Sequence, residues 1–171
     1  LLERLPQKAR GVQAIILCPT RELALQVSEQ INILGKFKDI RSTAIYGGAS
    51  YVDQLHGLKQ GNAIVVGTPG RVMDLVRRDS LKPDKIKWLI LDEADLMLDM
   101  GFVHDVKKII KIIPPKRQSL FFSATMPDSI MALAGSILND PEKVEVTPVS
   151  STAETVSQAV YYVDQAKKYE L

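Results

Sequence analysis

The chain has 171 residues, a formal net charge of +2 and 46% hydrophobic and 25% charged positions, proportions that exclude a disordered, collagen-like or coiled-coil polypeptide. No apolar run approaches the ~20 residues that cross a bilayer. Its single cysteine, Cys18, excludes an internal disulfide and a multi-cysteine zinc site.

From the N-terminus, residues 12–18 form a β-rich run whose centre, Ala14-Ile15-Ile16-Leu17, is apolar at consecutive positions. That pattern predicts a strand covered on both faces. Leu23, Val27, Ile31 and Leu34 then recur at helical spacing. They predict a helix capped by Thr20, with Glu22 in its first turn and Gly35 at its end. Further strands are predicted at 42–46, 63–66 and 88–91, the last again apolar throughout. Val106, Ile109, Ile110 and Ile113 mark a second helix stopped by Pro114-Pro115. A fifth strand is predicted at 119–122, a third helix from Pro127 to 138, and a sixth strand at 143–146.

Repeated strand–helix alternation with short connections predicts an α/β fold: a doubly wound, mainly parallel sheet with helices on both faces. Residues 147–157 are small and polar and read as a linker. Residues 158–171 begin with a strand-like Gln158-Ala159-Val160-Tyr161-Tyr162-Val163 and read as the opening of a second domain. The expected organisation is a partial first domain over 1–146, a linker over 147–157 and a truncated second domain over 158–171. The chain starts at Leu1 without a methionine and is expected to be a fragment.

Ligands gather at the carboxyl ends of strands in such sheets. Five predicted strands run into polar or small clusters: Pro19-Thr20-Arg21-Glu22, Gly47-Gly48, Thr68-Pro69-Gly70-Arg71, Asp92-Glu93-Ala94-Asp95 and Ser123-Ala124-Thr125. An apolar strand delivering Asp92-Glu93 is a Walker B pattern. Asp92 would hold Mg²⁺ directly or through water, and Glu93 would orient or deprotonate a water attacking a γ-phosphate. A strand entering an acidic helix start gives the same letters without a ligand. Thr20-Arg21 and Thr68 to Arg71 set a hydroxyl and a guanidinium at helix starts, which suits phosphate. Gly47-Gly48 permits close backbone approach. Capping and a tight turn explain each of these segments singly. None offers a base-reading pattern, so any nucleic-acid contact would be to the backbone. The charge split agrees: residues 1–85 hold thirteen Lys and Arg against eight Asp and Glu, and residues 86–171 nine against twelve. Uneven solvated faces would produce the same split. Cys18, Trp88 and the methionines read as packing residues, and His56 and His104 as surface or helix residues.

Taken together, Pro19-Thr20-Arg21-Glu22-Leu23-Ala24, Gly47-Gly48, Thr68-Pro69-Gly70-Arg71, Asp92-Glu93-Ala94-Asp95 and Ser123-Ala124-Thr125 resemble, in order and spacing, the DEAD-box RNA helicases. The resemblance covers nearly the whole chain. It implies a first RecA-like domain of the P-loop NTPase class, incomplete, with ATP and Mg²⁺ as cofactors served by Asp92 and Glu93. It implies that Asp95 links to Ser123 and Thr125 to couple nucleotide state to unwinding. It also implies that Pro19, Thr20, Arg21, Gly48, Thr68, Gly70 and Arg71 line the sugar-phosphate backbone of RNA, the expected partner. Leu96 occupies a position often charged in that family. No Gly-x-x-x-x-Gly-Lys-Ser/Thr segment occurs, since Gly35-Lys36 lacks both the upstream glycine and a following hydroxyl. The phosphate loop and an adenine-reading glutamine segment are therefore expected before Leu1, and the arginine finger after Leu171. The parent protein is expected to be an intracellular ATP-dependent RNA helicase, cytoplasmic if bacterial and nuclear or cytoplasmic if eukaryotic. The chain by itself is expected to be inactive. The alternative is a non-catalytic RNA-binding or partner-docking module that lacks the ATP loop.

Overall fold

The computed structural model describes residues 1–6, 11–145, 159, 162 and 163. The chain divides into two compact units, Leu1–Asp140 and Pro141–Leu171. The predicted linker and second-domain strand fall almost wholly outside the described residues.

The first unit carries β1 (Ala14–Leu17), α1 (Arg21–Gly35), β2 (Ser42–Ile45), α2 (Tyr51–Lys59), β3 (Ile64–Gly67) and α3 (Pro69–Arg77), then β4 (Trp88–Leu91), α4 (Ala94–Asp99), α5 (Val103–Ile112), β5 (Gln118–Phe121) and α6 (Asp128–Ile137). The five strands form one sheet in the order β2-β3-β1-β4-β5, parallel at every pairing. The doubly wound parallel architecture is therefore as expected.

The connection from β1 to β2 runs one way across the sheet and every later connection runs the other way. Right-handed crossovers then put α1 on one face and the later helices on the opposite face. The core divides accordingly. Ile15 and Leu17 pack with Val72, Leu75, Val106, Ile109 and Leu133. Ala14, Ile16 and Cys18 face the other way and pack with Ala24 and Ile31 of α1. With α1 as their main helical cover, Trp88 and Leu120 on that face remain half-buried.

Three expectations are corrected. In α1 the buried line is Ala24, Ser28, Ile31 and Gly35; of the predicted stripe Ile31 lies on it, Leu23 and Val27 are half-buried beside it, and Leu34 is exposed. Small side chains let the helix approach β2, where the Ser28 and Ser42 hydroxyls lie 2.8 Å apart. Helix α1 does end at Gly35, and the chain continues through a 3₁₀ turn at Lys36–Lys38 to a left-handed Asp39, φ 52°. Residues 143–145 form no strand and are exposed, and Val146 lies outside the described residues. An extended segment becomes a strand only by pairing, and residues 143–145 pair with none of the described strands. Of the methionines expected to pack in the core, Met73 and Met97 are buried, whereas Met100, Met126 and Met131 are about half exposed.

At the end of β3, a methyl group on Gly67 would lie 2.2 Å from the backbone oxygen of Ile45. The β2–β3 pair closes only around a glycine there. Gly67→Ala is expected to cost about 1–3 kcal/mol through forced strand displacement, measured as a lower urea midpoint. An unchanged midpoint would show that the strands separate without penalty.

Candidate functional site

All five strands end on the same rung. Leu17 pairs with Gly67 and Leu91, Ile45 with Gly67, and Leu91 with Phe121. The segments that follow are thereby delivered to one rim, and the candidate site residues named from the sequence lie on them. They fall into two groups, and among the described residues no hydrogen bond joins one group to the other.

The first group follows β1, β2 and β3. Thr20 caps α1, its Oγ1 accepting the Leu23 amide at 3.2 Å. Pro19 is buried and Arg21 exposed. The Arg21 guanidinium lies over the Tyr46 ring, 4.9 Å from its centroid, within cation–π range. Gly48 has φ +76°, a conformation that favours glycine, and open space on its would-be side-chain side. Thr68 precedes α3 without capping it, so no side chain closes the amides at Gly70 and Arg71. Arg71 donates to the Ala49 carbonyl at 3.3 and 3.4 Å and lies over Tyr51 at 4.0 Å. Gln54, buried, donates to the Tyr46 carbonyl at 3.1 Å and reaches Arg71 at 3.5 Å. Tyr46, Tyr51 and Gln54 escaped the sequence reading. The signal that pointed to them was the pair of tyrosines bracketing Gly47-Gly48.

The second group follows β4 and β5. The amide of Asp92 is tied to the Leu17 carbonyl at 3.0 Å, and one carboxylate oxygen accepts the Glu93 amide at 3.1 Å. Glu93 is exposed and left-handed, φ 50° and ψ 55°. Such backbone strain in a non-glycine residue costs about 1–3 kcal/mol and concentrates at functional positions. Here it turns the chain between the end of β4 and α4.

Asp95 is clasped to β5. Its amide donates to the Ser123 hydroxyl at 3.2 Å. Its carboxylate accepts the Thr125 amide and hydroxyl at 2.9 and 2.8 Å and the Leu96 amide at 3.1 Å. The Ser123 hydroxyl in turn donates to the Thr125 carbonyl at 2.8 Å. Burial pushes the Asp95 carboxyl upward, but the hydrogen bonds from Thr125 and Leu96, with the Ser123 hydroxyl beside them, outweigh it and hold the group below the usual carboxylate range. Neither Ser123 nor Thr125 contacts a base that would make it a nucleophile. Cys18 lies wholly buried. Burial first, then the charges of Asp92 and Glu93, push its thiol up to about 12, so it stays neutral as a packing residue.

Among the described residues, no group of three or more His, Cys, Asp and Glu could hold a metal. Asp92 nonetheless fits Mg²⁺, which is held by one or two carboxylates with waters and substrate phosphates. Its second oxygen carries no hydrogen bond among the described residues.

A model of the DEAD/DEAH box helicase family matches residues 1–133. The chain belongs to that family. It is 42% identical over 171 residues to the ATP-dependent RNA helicase CshA of Listeria monocytogenes, covering 100% of this chain and 33% of that protein. It is 45% identical over 159 residues to the ATP-dependent RNA helicase DbpA of Bacillus subtilis, covering 93% and 33%. The fold matches a DEAD box protein from the hyperthermophile Methanococcus jannaschii with TM-score 0.77 and 45% identity, over 81% of this chain and 38% of that one. It also matches S. cerevisiae dbp5 bound to gle1 and ip6, with TM-score 0.76 and 35% identity, over 86% and 37%. The chain thus spans about a third of the length of the curated relatives it matches. In this DEAD-box RecA-like domain, the two groups lie side by side on one rim of the sheet.

The Asp95 clasp has a defined pH dependence. A carboxyl held below its unfolded value contributes stability that is complete above the unfolded value, about 4, and is lost as pH falls through the folded one. Asp95→Asn should therefore lower the melting temperature by a constant amount between pH 5 and 8. The difference from wild type should narrow only below about pH 4. A gap that closes near neutral pH would mean that Asp95 does not titrate as a clasped carboxylate.

Proposed function

We propose that this chain is part of an ATP-dependent RNA helicase, in which one half of the rim binds RNA and the other serves nucleotide hydrolysis. The register of the five strand ends carries this reading, because it sets two arginine-bearing helix starts beside a Walker B strand on one edge. The names of the relatives support it.

Arg21 and Arg71, with the helix starts at Thr20 and Thr68, and Pro19, Gly48 and Gly70 beside them, bind the sugar-phosphate backbone. No base-reading pattern accompanies them, so recognition is largely independent of sequence. Asp92 would hold Mg²⁺ carried by ATP, and the metal when bound would neutralise charge on the β- and γ-phosphates. Glu93, exposed beside Asp92, orients the attacking water and accepts its proton. Asp95, Ser123 and Thr125 transmit nucleotide state rather than react, since their donors and acceptors are spent on joining β5 to α4. Hydrolysis also requires a phosphate cradle with its lysine and an arginine finger. Within these 171 residues no Gly-x-x-x-x-Gly-Lys-Ser/Thr segment occurs, so the activity belongs to the longer parent. We place the parent inside the cell, where its RNA and ATP are found.

Two measurements test the assignment. In the full-length protein, Arg21→Ala/Arg71→Ala should weaken binding of single-stranded RNA equally for different sequences. It should also flatten the salt dependence by about 0.7 per lost phosphate contact. Equal affinity in the double variant would remove the RNA role from this half of the rim. Glu93→Gln should bind Mg²⁺–ATP normally while lowering turnover by ~10²–10⁴. Near-normal phosphate release by that variant would remove Glu93 from the chemical step.

A further inference from the structure

Arg71 has an obvious wrong partner. Asp74 lies three residues along α3, the spacing at which side chains on a helix meet, and the Arg71 charge is already felt at the Asp74 carboxyl. An ion pair between them would cancel the positive charge that the RNA reading requires. It does not form: Arg71 is turned onto the Tyr51 ring, Ala49 and Gln54, and each oxygen of Asp74 is engaged by another donor. The Tyr51 hydroxyl donates to Oδ2, and Arg78 Nε donates to Oδ1 at 3.0 Å. The Tyr51 ring meanwhile lies under Arg71, 4.0 Å from the guanidinium carbon, and under Arg78 at 4.8 Å. One side chain from the start of α2 thus seats the arginine and occupies the acid that would capture it.

We infer that Tyr51 is a positioning residue for RNA binding: its ring holds Arg71 at the rim and its hydroxyl, together with Arg78, keeps Asp74 from neutralising it. The inference rests on the RNA-binding role of Arg71. The partners seen agree with it. Arg71 donates only to uncharged oxygens, those of Ala49 and Gln54, and among the described residues it forms no ion pair. Arg78 forms one, with Asp74.

Titration of fluorescein-labelled decauridylate against the full-length protein at several salt concentrations tests this. Tyr51→Leu keeps apolar bulk but loses the π face and the hydroxyl, freeing Oδ2 for Arg71. It should weaken binding by roughly tenfold, as expected for loss of a charge-assisted contact, and lower the salt slope by about 0.7, the amount of one phosphate. Adding Asp74→Asn should restore the slope, because the captor is then uncharged. Tyr51→Phe, which retains the ring, should bind more tightly than Tyr51→Leu. A general loss of folding would not be repaired by Asp74→Asn. Wild-type affinity in Tyr51→Leu, or a slope that Asp74→Asn leaves depressed, would overturn the inference. Wild-type affinity and slope in Arg71→Ala would instead overturn the RNA reading beneath it.

Discussion

Four backbone hydrogen bonds fix the rim. The amide of the first residue past a strand is tied to the last carbonyl of its neighbour: Cys18 to Gly67, Thr68 to Ile45, Asp92 to Leu17 and Phe122 to Leu91, all at 2.9–3.0 Å. Four of the five motifs begin at or immediately after one of these anchors. Because the sheet is parallel, chain direction and hydrogen-bond register together set the height of every strand end. A slip of one residue would turn a strand's side chains to the opposite face and move its motif by ~3.3 Å. Continuous apolarity on both faces resists the slip only weakly, since an apolar residue replaces an apolar residue. The anchors and the close fit at Gly67 supply the specificity that the hydrophobic pattern lacks.

The free edge of β2 shows how the same sheet ends without inviting another strand. The Ser42 amide is accepted by the Asn32 side chain at 2.8 Å, and the Ser42 carbonyl receives Asn62 at 3.3 Å. Gln54 takes the Tyr46 carbonyl just beyond the strand. Side-chain amides thus occupy backbone positions that an incoming strand would need, which blunts edge pairing. Gln54 has a second consequence. It touches both the segment that seats Arg21 and the guanidinium of Arg71, so sealing the edge and shaping the rim are one packing problem.

The fold class was legible because it depends on local pattern, and the same pattern marks where the candidate residues fall. Ala14 to Leu17 and Trp88 to Leu91 announce buried strands by composition alone, and Asp92, Glu93, Arg21 and Arg71 follow at their ends. What local pattern lacks is distance across the fold. Helix α2 escaped because Asp53, Gln54, His56 and Gln60 interrupt its apolar spacing, and its fold depends on packing Tyr51, Leu55 and Leu58 into the core. The α1 stripe was misplaced because close approach to β2 favours Ala24 and Ser28 over larger residues. Tyr51 was invisible for the same reason: its partners lie about twenty residues away on α3, and only the packed helices bring them together.

Opposite charges share this rim without cancelling. Arg21 follows β1, the strand paired with the Asp92-bearing β4, so a guanidinium–carboxylate pair across adjacent strands would be the simplest outcome. The five ion pairs among the described residues include none of Arg21, Arg71, Asp92, Glu93 and Asp95. Exposed pairs contribute little stability, about 0–1 kcal/mol, so folding gives up almost nothing by leaving these groups apart. Aromatic rings draw both guanidinium groups the other way, toward the segment after β2, where they rest on Tyr46 and Tyr51. On the acidic side, hydroxyls and amides satisfy Asp95 where a lysine or arginine would have done so at the cost of its charge. Neutral partners thus hold these charges in place without cancelling them.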